Sequence, residues 1–186
     1  MLTNKKLQQG ATLIEVLVSL LLLSIGAVAL NSMLMVTVNL PKLAGYRATA
    51  VNLANSYVER MRANTSGFEL GSYQLSESSY ANDTTQLTAD EGNLCEFPEC
   101  SAAGIAAMDF EVIRIAARAA LPAGGIFMLN DASGGAPSQT TGNLWVIWNE
   151  PSTTAWLDAS RTDNCPDEAL AFENAQTRCV YVRFNL

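Results

Sequence analysis

The chain has 186 residues, 49% of them hydrophobic and 16% charged, with a formal net charge of −7. This is too apolar for a disordered polymer and too mixed for a protein of many membrane spans, and the acidity repels nucleic-acid phosphate in bulk. One span plus one soluble domain produces such a balance, and the place to look for the span is the N-terminus, where Lys5 and Lys6 stand without an acid.

From Val16 to Leu40 there are 25 residues without a charge. As a helix rising about 1.5 Å per residue they reach about 37 Å, more than a hydrocarbon core of about 30 Å. The positive-inside tendency of Lys5 and Lys6 keeps the N-terminus cytoplasmic and sends the remainder across. A cleavable secretory signal has the same general form, but its apolar core is about 7 to 15 residues and ends at a small-residue cleavage site. Here the run is much longer and Glu15 lies near its start. A carboxylate in the apolar layer costs on the order of 3 kcal/mol, so Glu15 needs neutralisation or a cation. No Lys or Arg follows within six turns of helix, so that partner comes from outside the segment or is made by processing.

The residues Gly10-Ala11-Thr12-Leu13-Ile14-Glu15-Val16-Leu17-Val18 resemble the type IV prepilin signature, in which Gly precedes the cut and Glu is fifth in the mature chain. The resemblance implies that a membrane prepilin peptidase cuts between Gly10 and Ala11 and that the new amine of Ala11 is methylated. The family's usual first mature residue is Phe, and Ala11 stands there instead. Physical chemistry fits this implication. Gly lacks a Cβ and admits a protease to the backbone, and the cut creates an ammonium at Ala11 with which Glu15 can form an assembly ion pair, in its own chain or on a neighbour.

Pro41 is expected to kink or briefly break the helix. Beyond it Tyr46, Ala50, Leu53, Tyr57 and Met61 recur at intervals of three and four, while Arg47, Asn52, Asn55, Glu59 and Arg62 fill the other side. An amphipathic helix that stops near Asn64 to Gly67 follows from that pattern. From Gly67 to Asn93 the chain is rich in Ser, Thr, Asn and Gly and reads as exposed loop. Ser101 caps a second helix to about Ala120, with Ile105, Met108, Val112, Ile115 and Ala119 at helical spacing. After Leu121-Pro122-Ala123-Gly124-Gly125, three apolar runs, Ile126 to Leu129, Leu144 to Trp148 and Val180 to Phe184, predict a small antiparallel sheet. One face is expected to be covered by the Tyr46 to Met61 stripe and the other wet. The expected fold class is therefore α+β, and the resemblance implies a pilin-like arrangement in three parts. Residues 1–10 are expected to form a leader, 11–64 the N-terminal helix, with 11–40 transmembrane and 41–64 amphipathic, and 65–186 a soluble domain.

The cysteines are Cys95, Cys100, Cys165 and Cys179. Outside the cytoplasm, two disulfides are the simple reading, and Cys95–Cys100 and Cys165–Cys179 close the shortest loops. The sequence leaves other pairings open. A four-cysteine zinc site usually needs close Cys-x-x-Cys pairs, which the four, sixty-four and thirteen intervening residues do not supply.

Glu59-Arg60-Met61-Arg62-Ala63-Asn64, the Cys100 to Asp109 stretch, Leu121-Pro122 and Leu144-Trp145-Val146-Ile147-Trp148 are similar to the PilV-like minor pilins. This resemblance implies an inner-membrane subunit, its C-terminal domain periplasmic, that joins other pilins to prime a pilus and sits at its tip, with roles in twitching motility and adhesion. A pseudopilin of a type II secretion system keeps the same physics in another machine, and an unprocessed single-span anchor is the reading that forbids cleavage. Catalysis is not expected. There is no His, the glycine pairs lack a phosphate-cradling pattern, and adjacent Asp167 and Glu168 do not face one pocket. No cofactor, metal, nucleic acid or small-molecule substrate is expected. Asp163, Asn164, Asp167 and Glu168 offer oxygen ligands without the spacing of a calcium loop. Trp145, Trp148 and Trp156 read as core before binding surface.

Overall fold

The computed structural model describes residues 12–81, 83–90, 95–96, 98–133, 136–150, 163, 165–166 and 177–186. Among the described residues three helices precede three strands: α1 (Leu13–Ala63), α2 (Thr65–Glu69), α3 (Ala102–Ala120), β1 (Gly125–Ser133), β2 (Ala136–Asn149) and β3 (Thr177–Asn185). Internal contacts divide the chain into a unit ending at Lys42 and a unit beginning at Leu43.

In the first unit α1 is apolar all round, and its side chains from Leu13 to Met35 are exposed. Ser19, Ser32 and Thr37 return their hydroxyls to carbonyls four residues back and Ser24 to one three back. That satisfies polar groups without water, as a helix in hydrocarbon requires. The break expected at Pro41 does not occur, since helix continues on both sides of it. Proline removes one amide from the ladder, and in a long apolar helix the remaining bonds carry the structure past that local loss.

The second unit is built on a sheet of order β1-β2-β3, antiparallel throughout. Ala50, Ala54, Tyr57, Val58 and Met61 of α1 are buried, with Tyr46 and Leu53 half-buried beside them, as the three-and-four spacing predicts. They share one cluster with Ile126, Met128, Leu144, Val146, Trp148 and Phe184 of the sheet. Fully burying residues such as Met61 or Val58 contributes about 1.5–3 kcal/mol each, which fastens this part of α1 to the sheet.

Three expectations need correction. The other face of the sheet is not simply wet: Phe127, Ile147 and Cys179 are buried there with Tyr80 and Ala123, while Tyr181 and Arg183 remain exposed. The cover is the segment following Gly67, which is therefore not an exposed loop throughout. It opens with α2, buries Tyr73 and Tyr80, and lies along the free edge of β1, where Leu75 N donates to Met128 O at 3.0 Å and Ser79 N to Ile126 O at 2.9 Å. Gly125 permits that approach, because a Cβ there would collide with the Tyr80 backbone. The third correction concerns α3, which Ser101 caps as predicted by accepting from Gly104 N at 3.0 Å. Its buried side is Ala106, Asp109, Ile113 and Ala117, and the stripe through Ile105, Met108, Val112, Ile115 and Ala119 lies half-buried to exposed. Small alanines let the helix approach closely, and the buried carboxylate of Asp109, paired with the partly exposed Arg60, rather than the largest apolar residues, fixes which side turns inward.

Candidate functional site

Glu15 lies in the first turn of α1, where a carboxylate complements the positive end of the helix dipole. The Glu15 and Val16 amides both donate to Thr12 O, at 3.0 and 3.2 Å, so the helix is wound right up to the acid. Its side chain is exposed, and among the described residues no cation lies within ion-pair distance. Gly10 and Ala11, the predicted cut and methylation positions, lie outside the described residues. The helix behind Glu15 is long and apolar enough to cross a membrane by length and composition.

Where α1 ends, a polar hub ties it to the rest of the domain. Arg60 donates to Asp109 Oδ1 at 2.9 Å, and the Tyr73 hydroxyl donates to Asp109 Oδ2 at 2.7 Å. Asn64 Nδ2 donates to the Tyr73 hydroxyl at 3.1 Å and to Ala102 O at 2.8 Å, while its Oδ1 accepts from Gly67 N. Thus α1, α2 and the start of α3 share one satisfied network around a buried carboxylate. Burial, then the hydrogen bond to Asp109, pushes the Tyr73 hydroxyl well above the ordinary tyrosine range. Sequence reading missed the hub, because its members are separated by as many as 49 positions and each alone resembles a surface residue.

A second tie lies nearer the start of this unit. Arg47 reaches Asp163 at 3.4 Å and stands over the Trp148 ring at 5.9 Å. Asp163 Oδ2 also accepts from Cys179 N at 3.2 Å. The acid considered as a calcium ligand is therefore engaged by a guanidinium and an amide; Asn164, Asp167 and Glu168 lie outside the described residues. Trp148 is core, Trp145 is half-buried on the opposite face, and Trp156 is outside the described residues. Disulfides join Cys95 to Cys100 and Cys165 to Cys179, and no cysteine is free. Among the described residues no group of three or more His, Cys, Asp or Glu could hold a metal ion.

Other buried charges among the described residues are engaged as well. Arg178 donates to Glu150 at 3.1 Å. Arg118 donates to the carbonyls of Gly124, Asp83 and Ser79, clamping the covering segment to the end of α3. None of these arrangements pairs a nucleophile with a base, and their chemistry is that of structural ties.

An apolar helix with one acid at its start, long enough to cross a membrane, and a small α+β unit with two disulfides fit a membrane-anchored protein. Comparison with known families is specific: residues 5–31 match the prokaryotic N-terminal methylation motif, and residues 37–111 match the family of type IV pilin Tt1218. By these two matches the chain belongs to the type IV pilins, a structural family. No curated protein and no solved structure matches it.

Proposed function

We propose that the chain is a minor pilin, made as a precursor, cut between Gly10 and Ala11 by a prepilin peptidase and methylated on Ala11. The observation that carries the proposal is the solitary Glu15 at the start of a helix of 51 residues, inside the stretch that matches the methylation motif. Cleavage places an ammonium four residues before that acid. In an apolar bundle the pair is strongly favourable, whereas an unpaired carboxylate there is costly. The span first anchors the subunit in the inner membrane with its domain on the periplasmic side, the compartment in which its disulfides form. It then enters the helical bundle of a filament at the cell surface. Similarity of the downstream segments to PilV-like minor pilins supports a place in the complex that primes the pilus and remains at its tip, in the service of twitching motility and adhesion. The domain supplies ties and packing, and we assign it no catalysis.

Deleting the gene and scoring surface pili, twitching and protein secretion side by side tests this reading. Loss of pili with intact secretion is expected. Loss of secretion with intact pili would make the subunit a pseudopilin of a type II secretion system.

A further inference from the structure

The two edges of the sheet are treated differently. The edge of β1 is closed by the Leu75 and Ser79 amides and by the Ser79 hydroxyl, which accepts from Ile126 N at 2.7 Å. Among the described residues the edge of β3 is closed only at its ends. In an antiparallel ladder alternate residues turn their N–H and C=O groups toward one neighbour and the residues between them turn the other way. Leu186 N donates to Thr140 O, so the even-numbered residues of β3 face β2, and Cys179 N donates outward to Asp163. The outward set is Cys179, Tyr181, Arg183 and Asn185. Asp163 takes the amide of the first, and Arg62 reaches the carbonyl of the last at 3.4 Å. Between these caps the backbone groups of Tyr181 and Arg183 have no partner among the described residues. Both side chains are exposed, and the Arg183 side chain remains 67% exposed although it pairs with Asp131.

Resting on the filament-subunit reading above, we infer that this edge receives an extended segment of a different protein subunit by strand addition, with a carboxylate of that segment opposite Arg183. An open strand edge bonds another backbone without demanding a sequence, and flanking charges choose the partner. The charged residues of β3 are Arg178, buried against Glu150, and Arg183; the strand contains no acid. A second copy of β3 paired across the edge would therefore offer Arg183 no carboxylate, and two chains that are each strongly acidic repel one another. The caps at Cys179 and Asn185 set the length, so the incoming strand exchanges hydrogen bonds with Tyr181 and Arg183 alone.

The test places a photo-crosslinking amino acid at position 181 or 183 of the full chain in cells that assemble filaments, with position 70 as an exposed control. Adducts at 181 and 183, absent at 70, are expected to join a different subunit through a non-helical peptide with a nearby acid. Absence of adducts at 181 and 183, an adduct with a second copy of this chain, or one that maps only to a helix overturns the inference. Tyr181→Pro provides an independent arm, because it removes an outward amide and leaves the ladder to β2 intact. It should keep both disulfides and abolish at least nine-tenths of the adduct at position 183; an undiminished adduct contradicts strand addition. The N-terminus of the same protein is read in parallel. A processed chain without adducts sinks the edge inference alone, whereas a chain that begins at Met1 sinks the filament reading.

Discussion

Tyr57 and Tyr73 meet edge to face with ring centroids 5.8 Å apart, yet their hydroxyls live in different surroundings. Tyr73 donates to Asp109, while the Tyr57 hydroxyl is buried without a hydrogen-bond partner among the described residues. Burial, with Tyr73 and Asp109 nearby, pushes the Tyr57 hydroxyl far above the ordinary tyrosine range. A buried group without a partner costs about 1–3 kcal/mol, and a made hydrogen bond to a charged group contributes about 1.5–3 kcal/mol. Tyr57→Phe should therefore stabilise the domain by about 1 kcal/mol and Tyr73→Phe destabilise it by about 2 kcal/mol. Urea unfolding that gives both changes the same sign would contradict the hub described above. At the other end of α1, a span without its acid enters a membrane at least as readily as one with it. Glu15→Val should reach the membrane in normal amount and be missing from sheared filaments; recovery there at normal level would remove the acid from the assembly mechanism.

Among the elements, α3 shows where pattern and packing part. Glu111 is only 2% exposed and binds Arg114, and its Oε1 accepts from Asp90 N at 3.0 Å. Burial alone would raise the Glu111 carboxyl, but the hydrogen bonds from Arg114 and Asp90 outweigh it and hold the group below its ordinary value of 4.5. A carboxyl lowered by folding contributes stability that is fully present above 4.5 and is lost as the pH falls through the folded value. Stability should therefore fall on acidification below the usual carboxylate range, and Glu111→Gln should flatten that part of the curve. An unchanged slope in the variant would assign the acid sensitivity elsewhere. Such ties explain what could be read in the sequence. The α1 stripe, the Ser101 cap and the three strands announce themselves through local period and capping chemistry. The inward side of α3 does not, because Asp109 and two alanines hold it through contacts with Arg60 and Tyr73. Likewise Leu75 and Tyr80 sit in a composition typical of loops, and only the free edge and second face of the sheet give them somewhere to go.

For the molecule as a whole, the second unit depends on cross-links as well as burial. Cys165–Cys179 spans 14 positions and fixes the start of β3. Closing a loop of about 15 residues contributes about 3 kcal/mol in the chain-entropy account, more than the shorter Cys95–Cys100 loop can. Cys165→Ser with Cys179→Ser should lower thermal stability more than the corresponding pair at 95 and 100, and the reverse order would contradict that ranking. The candidate site is divided in a similar way between the legible and the hidden. The acid, the long span and the glycine before the proposed cut are all readable in one short stretch. Asp163 at one cap of β3 and the open amides of Tyr181 and Arg183 emerge only from strand pairing. The whole account rests on cleavage that brings an ammonium to Glu15, and the intact mass of the protein from filament-forming cells tests it most directly. The account predicts the mass of residues 11–186 with both disulfides and one methyl group on Ala11; a mass that still includes Met1 to Gly10 would contradict it.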